Sequence, residues 1–163
     1  MMLLNMNQNN LLSPVQSAIK ELYTKDIDLI KKDLCERCLV NRLAIYLDKL
    51  FPEFYVDCEF NKSFYKDIIG PKILSNINGN YVDIIVHKRS NNLGENLLCF
   101  EVKKKKNTRD RDKDRENLRI LTDESRFSYA WGFYIILGNS YETTQIEIYS
   151  KGHLVQVLRQ IVN

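Results

Sequence analysis

The sequence predicts an α/β domain with a central mixed β-sheet flanked by helices, and three observations carry that prediction. Apolar side chains recur at helical spacing through the first 50 residues. Two apolar, β-rich runs at 81–87 and 96–103 flank a polar, turn-forming stretch and so read as a hairpin. A charged segment that reads as a helix at about 110–124 then precedes two more β-rich runs, 129–137 and 145–149, which returns the chain across the sheet. The 163 residues are a single-domain length, and a chain of this size buries roughly 70% of the surface it exposes when unfolded.

Each element has a local reason. Ser13-Pro14 has the pattern of an N-cap followed by proline at the first helical position, and Val15, Ala18, Ile19 and Leu22 then share one face. After Thr24-Lys25-Asp26, the spacing of Ile27, Ile30, Leu34, Leu39, Leu43, Leu47 and Leu50 predicts a long amphipathic helix that stops at Pro52. Residues 54–61 are aromatic and β-branched and alternate apolar with polar from Val56 to Phe60, as a half-buried strand does. Residues 62–80 hold Gly70-Pro71 and Asn78-Gly79-Asn80 and read as an irregular connection. Connections of that length are often functional. The helix at about 110–124 takes its apolar residues from Leu118, Ile120 and Leu121, and 153–162 closes the chain as a helix or strand. The predicted order is ααβββαββα, without repeats, low-complexity segments or a dividing linker, so 1–163 is expected to be a single domain.

With 44% hydrophobic and 28% charged residues, the composition is that of an ordinary globular chain. The net charge of +3 and pI near 8.6 permit a polyanionic partner without requiring one. The opening MMLLNMNQNN has neither a basic leader nor a membrane-length apolar run, so a cytoplasmic protein with no membrane partner is expected. Cys35, Cys38, Cys58 and Cys99 are expected to be buried thiols rather than disulfides. Cys35 and Cys38 form a C-x-x-C, but Cys58, Cys99, His87 and His153 are scattered singly and supply no second zinc-ligand pair.

The chemistry concentrates in the hairpin. Asp83, Glu101 and Lys103 interrupt otherwise apolar strands, and charged side chains are rarely buried without partners. Glu101 and Lys103 share a face, and a turn centred near Asn92 sets Asp83 opposite Glu101. Two carboxylates at one point repel unless a cation lies between them, and Mg²⁺ or Mn²⁺ is held by such a pair with waters. Lys103 can then orient an attacking water or offset charge developing on a phosphoryl group. The plainer alternative is a structural ion cluster of the same three residues.

Val82-Asp83 followed by Glu101-Val102-Lys103 resembles the PD-(D/E)XK nuclease superfamily, in which an acidic strand residue is followed, after a turn, by Glu or Asp, one apolar residue and Lys. The usual proline before the first Asp is Val82 here, a position without a chemical role. The resemblance implies a restriction-endonuclease-like αβββαβ core over 33–150, with 1–30 as an N-terminal helical extension. It further implies a Mg²⁺- or Mn²⁺-dependent nuclease in which Asp83, Glu101 and the Val102 carbonyl ligate metal and Lys103 activates water. Glu36 stands where such nucleases carry an acidic residue from the first core helix, as a further ligand or to complete the site. A catalytically inactive module of the same fold, binding nucleic acid or a protein partner, is the rival reading.

The expected polymer is nucleic acid, DNA before RNA. Lys104, Lys105, Lys106 and Arg109 follow the candidate strand with a clear positive field, whereas Arg111, Lys113 and Arg115 alternate with acidic residues. Lys62 and Lys66 interleave with Phe64 and Tyr65, a pattern that suits phosphate contact and base stacking. A homodimer is a possibility raised by duplex cleavage, since one site faces one strand.

Overall fold

A computed structural model of the protein describes residues 8–33, 35–60, 62–63, 70–71, 82–90 and 92–159. Three helices come first: α1 (Gln8–Lys25), α2 (Ile27–Lys31) and α3 (Glu36–Leu50). Strand β1 (Tyr55–Phe60) follows, then two-residue strands β2 (Lys62–Ser63) and β3 (Gly70–Pro71) that pair only with each other among the described residues. The hairpin strands are β4 (Val82–His87) and β5 (Asn96–Lys104). Helix α4 (Arg111–Thr122) leads to β6 (Trp131–Leu137), β7 (Gln145–Ser150) and β8 (His153–Leu158).

Six strands make one mixed sheet in the order β1-β4-β5-β6-β7-β8. All neighbours are antiparallel except β5 and β6, which run parallel because α4 carries the chain back over the sheet before β6 begins. Side chains along β5 divide between the two faces. Leu98, Phe100 and Val102 join a core built with α1 and α3, while Cys99 joins a second, smaller core with Leu118 and Leu121 of α4. Glu101 and Lys103 continue the Cys99 face, so both charges lie on the side that α4 covers.

Two helical expectations need correction, and the choice left open for the last segment is decided. Pro14 lies inside α1 instead of opening it, because Leu11 one turn earlier is already buried beside Val15, Ala18, Ile19 and Leu22. Burying each of those large side chains is worth roughly 1.5–3 kcal/mol, enough to offset the hydrogen bond that proline removes. The long helix expected from Ile27 to Leu50 is two helices, since Asp33 adopts a left-handed backbone (φ 56°) that ends the first turn and lets Glu36 start the next. The terminal segment is the strand β8, paired with β7. Residues of the expected 1–30 extension pack into the same core as α3 and the sheet. Most of the 62–80 connection lies outside the described residues. Among the described residues no helix is long and apolar enough to cross a membrane.

The cysteines also depart from expectation: Cys99 is buried and Cys58 half-buried, but Cys35 and Cys38 are exposed. They sit where α3 starts, at the surface end of the helix, instead of on its core-facing stripe of Leu39, Leu43 and Leu47.

Candidate active site

The hairpin register decides which charges meet. Ile85 pairs with Cys99 and Ile84 with Phe100, so the next step along the ladder sets Asp83 across from Glu101, as the turn length predicted. The two carboxyl groups interact directly, and the charge of Asp83 raises the Glu101 carboxyl. The Val102 backbone N–H donates to Asp83 Oδ2 at 2.8 Å. On the other side, the Asn117 Nδ2 of α4 donates to Glu101 Oε1 at 3.1 Å.

Burial of Asp83 pushes its carboxyl up to about 6, against the pull of the Val102 N–H and the Lys103 charge. Glu101 is only 4% exposed. Its carboxyl is held well above the ordinary range by burial first, then by the charges of Asp83 and Asp114. Burial works against the Lys103 ammonium, yet Asp114, Glu36 and Asp83 outweigh it and hold the group above its usual value. Lys103 Nζ lies 3.5 Å from Asp114 Oδ2 and 3.7 Å from Glu36 Oε1. Asp114 is itself raised by burial, with Lys103 and the Tyr134 hydroxyl, which donates to it at 3.3 Å, acting in the opposite direction.

Glu36 is the first residue of α3. Its Oε2 accepts the Lys104 backbone N–H at 2.9 Å, and Asn107 Nδ2 lies 3.0 Å from each carboxylate oxygen. These contacts bind the start of α3 to the end of β5. They bring Glu36 to Lys103, whereas Asn117 and Val102 are the groups that touch the Asp83–Glu101 pair.

Asp114, Asn117 and Tyr134 were not singled out from the sequence. A signal for the first two existed: Asp114, Asn117, Leu118 and Leu121 follow i, i+3, i+4, i+7, so two polar residues extend the buried stripe of α4 toward the sheet. Tyr134 looks apolar in its strand, and only the sheet order sets it beside Glu101.

The expected nucleic-acid contacts divide. Lys104 is not a surface cation: it alternates to the α3 side, where its Nζ pairs with Asp33 at 2.8 Å. Lys106 pairs with the same carboxylate at 2.7 Å. Lys105 and Arg109 are exposed. Lys66 lies outside the described residues, and of Lys62 only the backbone is described. His87 is buried against Asp57 at 2.8 Å, and Arg42 Nε lies 3.0 Å from Asp26, so both act in packing and pairing.

The donor set suits a hard divalent ion. Among the described residues no three His, Cys, Asp or Glu side chains converge on a metal position. The site has instead a carboxylate pair with excess negative charge and a buried amide oxygen, Asn117 Oδ1, that has no hydrogen-bond partner. Carboxylate oxygens are the kind of donor that hard divalent ions take, with waters completing the shell. Comparison with known proteins adds nothing to this geometry: no protein-family model, no curated protein and no solved structure matches the chain.

Proposed function

We propose that this chain is a metal-dependent nuclease of the PD-(D/E)XK kind, hydrolysing phosphodiester bonds in nucleic acid, with DNA the expected polymer. The observation that carries the reading is the charge imbalance at the hairpin. One ammonium, Lys103, faces the carboxyl groups of Asp114, Glu36 and Asp83, while the buried Glu101 meets Asp83 and Asp114 with no cation of its own. A structural ion cluster closes on itself with matched charges, and buried pairs are tolerated only when matched. This cluster instead sets two buried carboxyls against each other, both raised above their ordinary values, and leaves an amide oxygen unpaired. The order α3, β1, β4, β5, α4, β6, with β5 and β6 parallel, also agrees with the αβββαβ core that the motif implies.

In this reading Asp83 and Glu101 hold Mg²⁺ or Mn²⁺, the Val102 carbonyl joins them by resemblance, and Asn117 fixes the Glu101 carboxylate. The ion, when bound, supplies Lewis-acid stabilisation of phosphoryl oxygens and a more acidic water. Lys103 orients the attacking water and offsets negative charge on the phosphoryl group. Asp114 and Glu36 hold the Lys103 ammonium in place and keep it protonated. Lys105 and Arg109 face solvent beyond the strand end, where backbone phosphates of a bound polymer are met without reading bases.

The test is a cleavage panel of linear, nicked, single-stranded and branched DNA, with RNA, in Mg²⁺, Mn²⁺ and chelator. The wild type should cut only with metal, and Lys103→Ala should lose about a hundredfold or more in rate, the usual effect of removing a transition-state charge partner. Equal cutting by both proteins would overturn the reading and identify a contaminating nuclease.

A further inference from the structure

Cys35 and Cys38 take no part in the chemistry above, yet they form the most exposed reactive pair in the described residues. Cys35 is the N-cap of the 15-residue helix α3 and Cys38 lies in its first turn. The Cys38 N–H donates to the Cys35 carbonyl at 3.1 Å, which folds the turn so that the two sulfurs also stand 3.1 Å apart. Both thiols are free and open to solvent. A disulfide needs an S–S distance of about 2.05 Å, so closing the bridge takes a movement of about one ångström without rebuilding the backbone. Cys58 and Cys99, by contrast, are half-buried and buried in the sheet.

We propose that Cys35 and Cys38 are a thiol–disulfide exchange site that reacts with low-molecular-weight disulfides of the glutathione class. Two exposed sulfurs in one helical turn suit a small, flexible disulfide, which can present either of its sulfurs without a docking surface. Beside the pair, an open depression of about 270 Å³ is lined by Asp33, Glu36, Lys104, Lys106 and Asn107. Its polar lining suits the carboxylates and amides of a peptide disulfide.

The exchange balances in two steps. The Cys35 sulfur, at the helix N-terminus, attacks one sulfur of the small disulfide. The S–S bond breaks, a mixed disulfide forms, and the released sulfur leaves with the electron pair and takes up the proton given up by Cys35. The Cys38 sulfur then attacks the Cys35 sulfur and displaces the second small thiol, which takes up the Cys38 proton. Two protein thiols are oxidised by two electrons, and one external disulfide is reduced to two thiols.

This proposal does not depend on the nuclease reading, and its test measures mass, not cleavage. The reduced full-length protein is incubated with glutathione disulfide, quenched by alkylation and mapped by mass spectrometry, with the urea-unfolded chain as control. A Cys35–Cys38 bridge should form in the folded protein about tenfold faster than in the unfolded one, as preorganised reactants do. Cys58 and Cys99 should remain alkylatable after later denaturation, and dithiothreitol should reverse the bridge. Cys38→Ser should stop at a glutathione adduct on Cys35. Alkylatable Cys35 and Cys38 throughout, or equal bridging rates in folded and unfolded chains, would overturn the proposal.

Discussion

Glu101 and Glu147 are equally buried, each 4% exposed, and lie on one row of the sheet on either side of Tyr134, its register partner on both β5 and β7. Their electrostatics are opposite. Glu147 receives Arg115 Nε at 2.9 Å and Nη2 at 2.8 Å, the Tyr149 hydroxyl at 2.8 Å and Gln145 Nε2 at 3.1 Å. Burial alone would raise its carboxyl, but Arg115, Tyr149 and Gln145 outweigh that and hold it below the ordinary value. Glu101 has the neutral Asn117 as donor and two acidic neighbours, and is driven the other way. Surface exposure alone therefore does not separate the two sites: Glu101 is desolvated among acidic neighbours, Glu147 is answered by an arginine. A carboxylate with a matched bidentate arginine is complete, whereas one set against a second carboxylate leaves room for a cation.

The largest expected separation is in activity. Glu101→Gln should reduce metal-dependent cleavage at least as much as Lys103→Ala, by about a hundredfold or more, or roughly 3 kcal/mol in transition-state stabilisation. Glu147→Gln, assayed at a temperature where it is folded, should retain most of the rate. Comparable losses in the two variants would erase the distinction between a completed ion pair and an open site.

Stability should move in opposite directions. Glu147→Gln removes the buried counter-charge of Arg115, leaving it the exposed Asp112 at 3.2 Å, and should cost about 2 kcal/mol, below the range for fully buried pairs because the arginine is partly exposed and still paired. Glu101→Gln removes a charge that has no cation in the metal-free protein and should leave the fold unchanged or raise its stability by about 1 kcal/mol near pH 8. Urea unfolding in chelator measures both. The pH slopes should differ likewise. Asp83, raised to about 6, binds its proton more tightly folded than unfolded, so it weakens the metal-free fold as pH climbs from about 4 to 6 and beyond. Glu147, lowered, contributes stability above its ordinary value near 4.5 that is lost as pH falls through its folded value.

Metal should reverse the first of those slopes. Ligand carboxylates must be deprotonated, so Mn²⁺ competes with protons on the raised Asp83 and Glu101 carboxyls. Below about pH 5 it should hardly move the thermal midpoint; at pH 8, at a hundred times its dissociation constant, it should add about 2.7 kcal/mol. Asp83→Ala should abolish the gain. A gain that persists in that variant would place the ion elsewhere.

The hairpin was legible because its information is local: alternation fixes faces, turn length fixes register, and together they bring Asp83 to Glu101. Lys103 followed from the same parity. What the sequence hid depends on contacts between distant elements. Asp33 claims Lys104 and Lys106 only because the break after α2 turns its carboxylate toward the end of β5. Tyr134 and Asn117 reach the site only through the parallel crossover that stacks α4 on β5 and β6. The start of α1 was missed for another reason. A proline rule read at Ser13-Pro14 competes with core burial that begins at Leu11, and the burial stabilises the helix by more than the proline costs it.

Glu36 gives the smallest and most discriminating effect. By resemblance it binds a metal or completes the site, and its described contacts are Lys103, the Lys104 N–H and Asn107. If it is a positioning residue, it acts through the lysine. Glu36→Gln keeps an oxygen for the Lys104 N–H and removes one of the anions that hold Lys103 protonated. The expected result is a five- to tenfold fall in kcat, about 1 kcal/mol, with KM and the metal requirement unchanged. The alkaline limb of the pH–rate profile should also move to lower pH, because the ammonium has lost an anionic neighbour. A metal ligand behaves differently: its removal raises the Mn²⁺ concentration needed for half-maximal rate by tenfold or more and leaves the lysine limb in place. A metal titration and a pH profile on the one variant therefore assign Glu36 to the lysine or to the ion.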